Sequence, residues 1–182
     1  MPSPSGLRDL QERSSPTHDV IHLWLNKIDN QEKVIGRITG QNTDFSRHQI
    51  DSKKTEVPIY GYRNFLLGII DCIITAKVMV YFPSNTDNEF FYFVPPAGVD
   101  RWNCRIMIDF LVEIKSQLDS ISATIGQIKA YRNAYEQESN GRLKSVLLTI
   151  DDQSTKFDDL LKTEGISVFR IPRQEINELL EK

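Results

Sequence analysis

Apolar positions near the start of the chain recur with a helical period. Val20, Ile21, Leu23, Trp24, Leu25 and Ile28 form a stripe that one helix face would bury, with Thr17 placed to cap it. Residues 36–55 break the pattern: they are polar and carry Gly36, Gly40 and Asn42, which reads as an irregular excursion. After Pro58 the pattern changes to branched and aromatic runs. Phe65 to Thr75 reads as a strand, and Val78 to Phe82 as its continuation or its successor. The cluster Pro83 to Asn88 reads as a turn and Glu89 to Val94 as the returning arm of a hairpin, closed by Pro95-Pro96-Ala97-Gly98.

Further on, Arg105 to Lys115 is predicted as a strand and Ser120 to Gln137 as a helix that Asn140-Gly141 ends. Ser145 to Ile150 is nearly all apolar, as in a strand buried on both faces. A short helix over Thr155–Thr163 stops at Gly165, a last strand covers Ile166–Ile171, and a terminal helix covers Arg173–Glu181. The order predicts an α/β fold, a mixed sheet with helices on its faces. A Ser/Pro-rich segment, residues 1–16, is expected to be flexible. Residues 17–182 are expected to form a single domain.

Composition narrows the function classes. The chain has 182 residues, 40% of them hydrophobic, with 22 Lys+Arg against 25 Asp+Glu for a net charge of -3. Disordered, collagen-like and disulfide-scaffold classes drop out. So does a protein that coats nucleic acid with a broadly basic surface. The charge is uneven: residues 101–145 hold seven bases against five acids, and residues 146–182 five against eight. Cys72 and Cys104 match no CxxC or zinc spacing and are expected as buried thiols in a reducing compartment. The longest apolar run, residues 65–76, is interrupted by Asp71 and is shorter than the roughly 20 residues a bilayer span requires. The expectation is therefore a cytoplasmic protein without a membrane partner.

Candidate chemistry lies on the two long strands. Asp71 is the one ionisable residue in its apolar run and needs a partner, a hydrogen-bond network or a metal. On the later strand, alternation puts Asp109, Leu111, Glu113 and Lys115 on one face, with Glu113 and Lys115 adjacent at its end. Carboxylates from neighbouring strands suit a hard cation such as Mg²⁺ or Mn²⁺. Such an ion polarises a phosphodiester and activates water, while a nearby ammonium orients that water or offsets developing charge.

Gly68-Ile-Ile-Asp71, followed by Glu113-Ile114-Lys115 and then by Gln127-Ile-Lys-Ala-Tyr131 on the next helix, resembles the PD-(D/E)XK nuclease superfamily, in particular its RecB-like branch with a QxxxY signature. The resemblance covers roughly residues 17–151 and leaves 152–182 as a strand-and-helix appendage. It implies a restriction-endonuclease-like core: a helix, three antiparallel strands, a helix and a parallel fourth strand, here with a β-hairpin insertion. It also implies a Mg²⁺- or Mn²⁺-dependent nuclease acting on DNA. Asp71 and Glu113 would hold the metal with the Ile114 carbonyl, Lys115 would be the catalytic lysine, and Gln127 and Tyr131 would position nucleic acid or catalytic groups. The second motif here is Gly-x-x-Asp rather than Pro-Asp. Asp109 is an alternative second acid. Glu56 and Asp19 are unranked candidates for the further upstream acid that such nucleases often carry.

Other features take plainer readings. His18 and His22, at i and i+4 without the Glu of HExxH, read as the polar side of the first helix. Trp24 and Trp102 read as core or rim aromatics, and the aromatic group at 60–62 and 90–93 as hairpin packing. An alternative function is a nuclease-fold protein that binds or regulates without turnover. A homodimer joined through the 78–94 hairpin is compatible with either.

Overall fold

The computed structural model of the chain describes residues 15–41, 47–84, 91–95, 97–98, 100–138, 141–151 and 155–181. The segment expected to be flexible lies outside the described residues up to position 14. The first helix, α1 (Pro16–Leu25), begins where Ser15 accepts a hydrogen bond from the His18 N–H at 3.1 Å, with Pro16 inside the first turn. The cap is thus Ser15 and not Thr17. Pro16 supplies the fixed φ of a first helical residue and has no N–H to leave unsatisfied.

The apolar stripe does not run on as one helix. A second helix, α2 (Ile28–Thr39), starts after a short break and closes on Gly40, whose φ of 67° suits a residue without Cβ. Two buried amides hold the corner: Asn30 Nδ2 donates to the Trp24 carbonyl at 2.8 Å and Gln31 Nε2 to the Leu25 carbonyl at 3.1 Å. Both carbonyls lie in the last turn of α1, where partners in the helix run out, and the Trp24 carbonyl also accepts from the Lys27 N–H at 3.3 Å.

Strand β1 (His48–Tyr60) occupies much of the expected irregular excursion, and α2 covers its start. Its lysines, serine and threonine carry no apolar alternation because β1 is an edge strand, exposed along most of its length. Strand β2 (Leu66–Pro83) is continuous for 18 residues, and β3 (Arg101–Ile114) is its partner from Cys72↔Val112 to Pro83↔Arg101. The expected hairpin arm is therefore displaced. Residues 91–95 form no strand and contribute a single bridge, Tyr81↔Tyr92, while 85–90 lie outside the described residues.

Helix α3 (Ile121–Glu138) carries the chain across to β4 (Arg142–Ile150), parallel to β3. Then come α4 (Asp158–Thr163), β5 (Ile166–Ile171), parallel to β4, and α5 (Arg173–Leu180). The sheet order is β1-β2-β3-β4-β5, with the first three antiparallel and the last three parallel. α1, α2 and α5 bury Trp24, Ile35 and Ile176 with Ile74, Phe110 and Leu148 on one face. On the other, α3 packs Tyr131 and Ala134 against Ile73 and Leu111, and Ile128 against Leu147. Among the described residues no helix is long and apolar enough to cross a membrane.

Both cysteines are free thiols; Cys72 is buried and Cys104 half-buried. Burial pushes the Cys72 thiol from 9.0 up to about 12, against an opposing pull from Lys53 and with a smaller push from Asp71. Above about pH 9 the unfolded chain loses this proton and the native one keeps it, so stability falls as pH rises from there toward 12. The slope is at most about 1.4 kcal/mol per pH unit. Urea midpoints at pH 8 and pH 10.5 check this: the wild type should lose more between them than Cys72→Ala, and equal losses would refute it.

Candidate active site

The β2–β3 ladder runs out at Cys72↔Val112. Just beyond it, the Ile114 N–H donates to Asp71 Oδ2 at 2.7 Å, so a side chain takes over where backbone pairing ends. Asp71 is 1% exposed. In the neighbouring β1–β2 ladder Thr55 pairs with Cys72 and Val57 with Ile70 in one register, and Glu56 between them adopts φ 51°. Side chains change sides here as well. Ile70 and Ile73 both pack in the α3-side cluster, whereas Cys72 and Ile74 pack toward α1.

The other Asp71 oxygen faces α1. Oδ1 lies 3.5 Å from His18 Nε2 and 3.9 Å from His22 Nε2, and the two imidazoles stand edge to face with centroids 4.8 Å apart. The histidines are thus not the polar side of the helix. His18 is buried, and neither of its ring nitrogens makes a hydrogen bond among the described residues. One ligand atom from each of His18, His22 and Asp71 falls within 4.8 Å of the others, a spacing that can hold a metal ion. Sequence reasoning missed this group although a signal was present: His18 is spaced at i+3 and i+7 from Ile21 and Leu25, which puts it on the buried stripe.

Glu113 lies at the end of β3 with its carboxylate under α3. Its Oε1 accepts from Gln127 Nε2 at 2.9 Å and lies 3.2 Å from Lys115 Nζ. Gln127 also donates to the Tyr131 hydroxyl at 3.1 Å. Gln127 and Tyr131, one turn apart on α3, therefore share the site with Glu113 and Lys115. Glu113 and Lys115 are buried, as is the Tyr131 ring. The Lys115 N–H donates to the Leu148 carbonyl at 3.0 Å, tying the strand end to β4. Asp71 reaches this group through Ile114, the residue between Glu113 and Lys115.

The remaining acids separate. Asp109 accepts from Thr75 Oγ1 at 2.7 Å and from the Tyr135 hydroxyl at 3.0 Å, a network of its own further down β3. Asp19 and Glu56 come together: with His22, Leu23, Asn26 and Thr55 they line an open cleft of about 370 Å³. Both upstream candidates therefore face the histidine side of the site.

Gly68 fixes how closely α3 can approach. A Cβ there would lie 2.1 Å from the Tyr131 hydroxyl and 2.7 Å from its Cζ. Gly68→Ala should therefore displace Tyr131 and cost about 1–3 kcal/mol, the usual penalty of overpacking. Thermal unfolding checks this, and an unchanged midpoint would contradict the packing. No known protein family, curated protein or solved structure matches the chain.

Proposed function

We propose that the chain is a metal-dependent nuclease of the PD-(D/E)XK type that hydrolyses phosphodiester bonds in DNA. The observation that carries this reading is the meeting of Glu113 with Lys115 and Gln127, on the strand end whose Ile114 N–H holds Asp71. Three antiparallel strands, a helix and a parallel fourth strand support it, being the order of the core that the motifs imply.

The donor set fits a divalent cation. Asp71 would supply a carboxylate oxygen, and His18 and His22 imidazole nitrogens, donors that suit a first-row transition ion better than Mg²⁺. When bound, the ion supplies Lewis-acid polarisation of the phosphodiester and a more acidic water. The chain's own residues do the rest. Glu113, under α3, holds Lys115 by charge at the strand end that Asp71 ties down. Lys115 orients the attacking water and offsets charge on the pentavalent phosphorus as the new P–O bond forms and the bond to the leaving sugar oxygen breaks. Gln127 and Tyr131 fix the rotamer of Glu113 and so act as positioning residues.

Cleavage of a labelled oligonucleotide and of plasmid DNA in Mn²⁺ and in Mg²⁺ tests the reading. Asp71→Asn, Glu113→Gln and Lys115→Ala should each lower the rate by about 10²-fold or more with circular dichroism unchanged. Wild-type rates in Glu113→Gln would overturn the assignment. Gln127→Ala should cost about 10–100-fold, as loss of a supporting hydrogen bond does at metal sites. An unchanged rate would remove Gln127 from the site.

A second reading, a nuclease fold that binds without turnover, is favoured by one observation: the Glu113–Lys115 ion pair is buried at 3% and 7% side-chain exposure. On that reading the pair closes the site against metal. Calorimetric titration with Mn²⁺ separates the two. Stoichiometric binding lost in Asp71→Asn supports the enzyme, and no binding supports the binding module.

A further inference from the structure

At the end of the sheet away from Asp71, residues 91–95 meet β2 through one bridge, Tyr81↔Tyr92, and set two aromatic rings beside Phe82. Phe91 stands between Phe82 and Phe93, with ring centroids 6.1 and 5.4 Å away. β4 brings two cations to this row from one of its faces, Arg142 and Lys144 being two residues apart on the strand. The Arg142 guanidinium lies 5.2 Å from the Phe82 centroid and 5.3 Å from that of Phe91. The Lys144 ammonium lies 5.6 Å from Phe91 and 5.4 Å from Phe93. Two like charges therefore share one ring. Burial, and after it the charge of Arg132 on α3, hold the Lys144 ammonium below its ordinary pKa, and no carboxylate among the described residues opposes them. Ring faces return part of the cost of desolvating a cation, but they do not cancel the repulsion between two of them.

We propose that Arg142 and Lys144, over the row of Phe82, Phe91 and Phe93, form a binding site for a small phosphate dianion, either free phosphate or a phosphate monoester. The proposal is independent of the nuclease reading. Charge selects the class of ligand. Two cations match a phosphate group with one ester bond or none, which carries a charge of about -1.5 to -2 at pH 7. A carboxylate, or a phosphodiester within a nucleic-acid backbone, carries only one negative charge. Access fits as well: Arg142, Lys144, Phe91 and Phe93 are all half-buried, so an anion can reach the cations where the rings limit screening by water. The place is separate from the candidate active site. Lys144 pairs with Phe110 and Leu147 with Glu113, a distance of three residues along β4 or about 10 Å at strand rise. The aromatic row also belongs to the core on the α1 side of the sheet, whereas Glu113 lies under α3.

Thermal unfolding at pH 8 in rising inorganic phosphate, with sodium chloride adjusted to constant ionic strength, tests the proposal. The wild-type midpoint should rise by about 3 °C or more and then level off, as a site that saturates requires. Lys144→Met should weaken the response at least about tenfold and Lys144→Arg should keep it, with circular dichroism unchanged in both. Dimethyl phosphate, a diester with a single charge, should act at least about tenfold more weakly than phosphate. Methyl phosphate distinguishes the two sources of the dianion: a response equal to that of phosphate assigns the site to monoesters, and no response assigns it to free phosphate. A rise that never levels off, or one of equal size in Lys144→Met, would show an adventitious ion only and overturn the proposal. An equal response to dimethyl phosphate would also overturn it. Without phosphate, Lys144→Met should unfold no earlier than the wild type, because a like charge has been removed. An earlier midpoint together with an unchanged phosphate response would leave ring contact as the only role of Lys144 and reject the site.

Discussion

A single carboxylate in an apolar strand sets the terms for the rest of the molecule. Asp71 is excluded from water, and an isolated buried charge costs several kcal/mol unless its surroundings repay it. Part of the repayment comes from β3, where the Ile114 N–H takes one oxygen. Part comes from α1, whose His18 and His22 face the other. Each contact constrains a different element. The first ends the β2–β3 ladder at a fixed residue, and the second sets the rotation of α1 against the sheet. The corner that Asn30 and Gln31 hold together and the Trp24 Nε1 hydrogen bond to Glu175 at 2.7 Å then anchor α1 to its neighbours.

On the opposite side of the sheet, contact distance does what charge does around Asp71. Tyr131 sits over Gly68, so β2 and α3 approach closely only because that position has no Cβ. The same tyrosine accepts from Gln127, which holds Glu113 next to Lys115. A packing choice on β2 is thereby transmitted to the geometry of charged groups on β3. Both halves meet at Glu113-Ile114-Lys115, whose side chains serve one half and whose backbone serves the other.

Legibility followed the range of the signal. Glu113 with Lys115 and Gln127 with Tyr131 are local pairs, at i+2 on a strand and i+4 on a helix, so periodicity alone placed each pair on one face. Strands β4 and β5 are legible from their apolar runs, and helix α3 from the Asn140-Gly141 stop that ends it. β1 was not, because an exposed edge strand has no core face to write into its sequence. The sequence predicts a shorter hairpin than the long β2–β3 pairing, since turn residues at 83–88 carry no information about which later strand returns. The histidine–Asp71 group was the least legible: its members are about fifty residues apart, and His18 was read as polar by type although its position lies on the buried stripe.

Asp71 is the point where a bound metal and the Glu113–Lys115 strand end would come together. Anomalous diffraction from crystals soaked in Mn²⁺ measures this directly. The expected result is one ion bonded to Asp71 Oδ1 and to an imidazole nitrogen of His18 or His22, with Glu113 still held beside Lys115 under α3. An ion bound elsewhere, or none at Asp71 in a crystal that shows the Glu113–Lys115 pair intact, would contradict it.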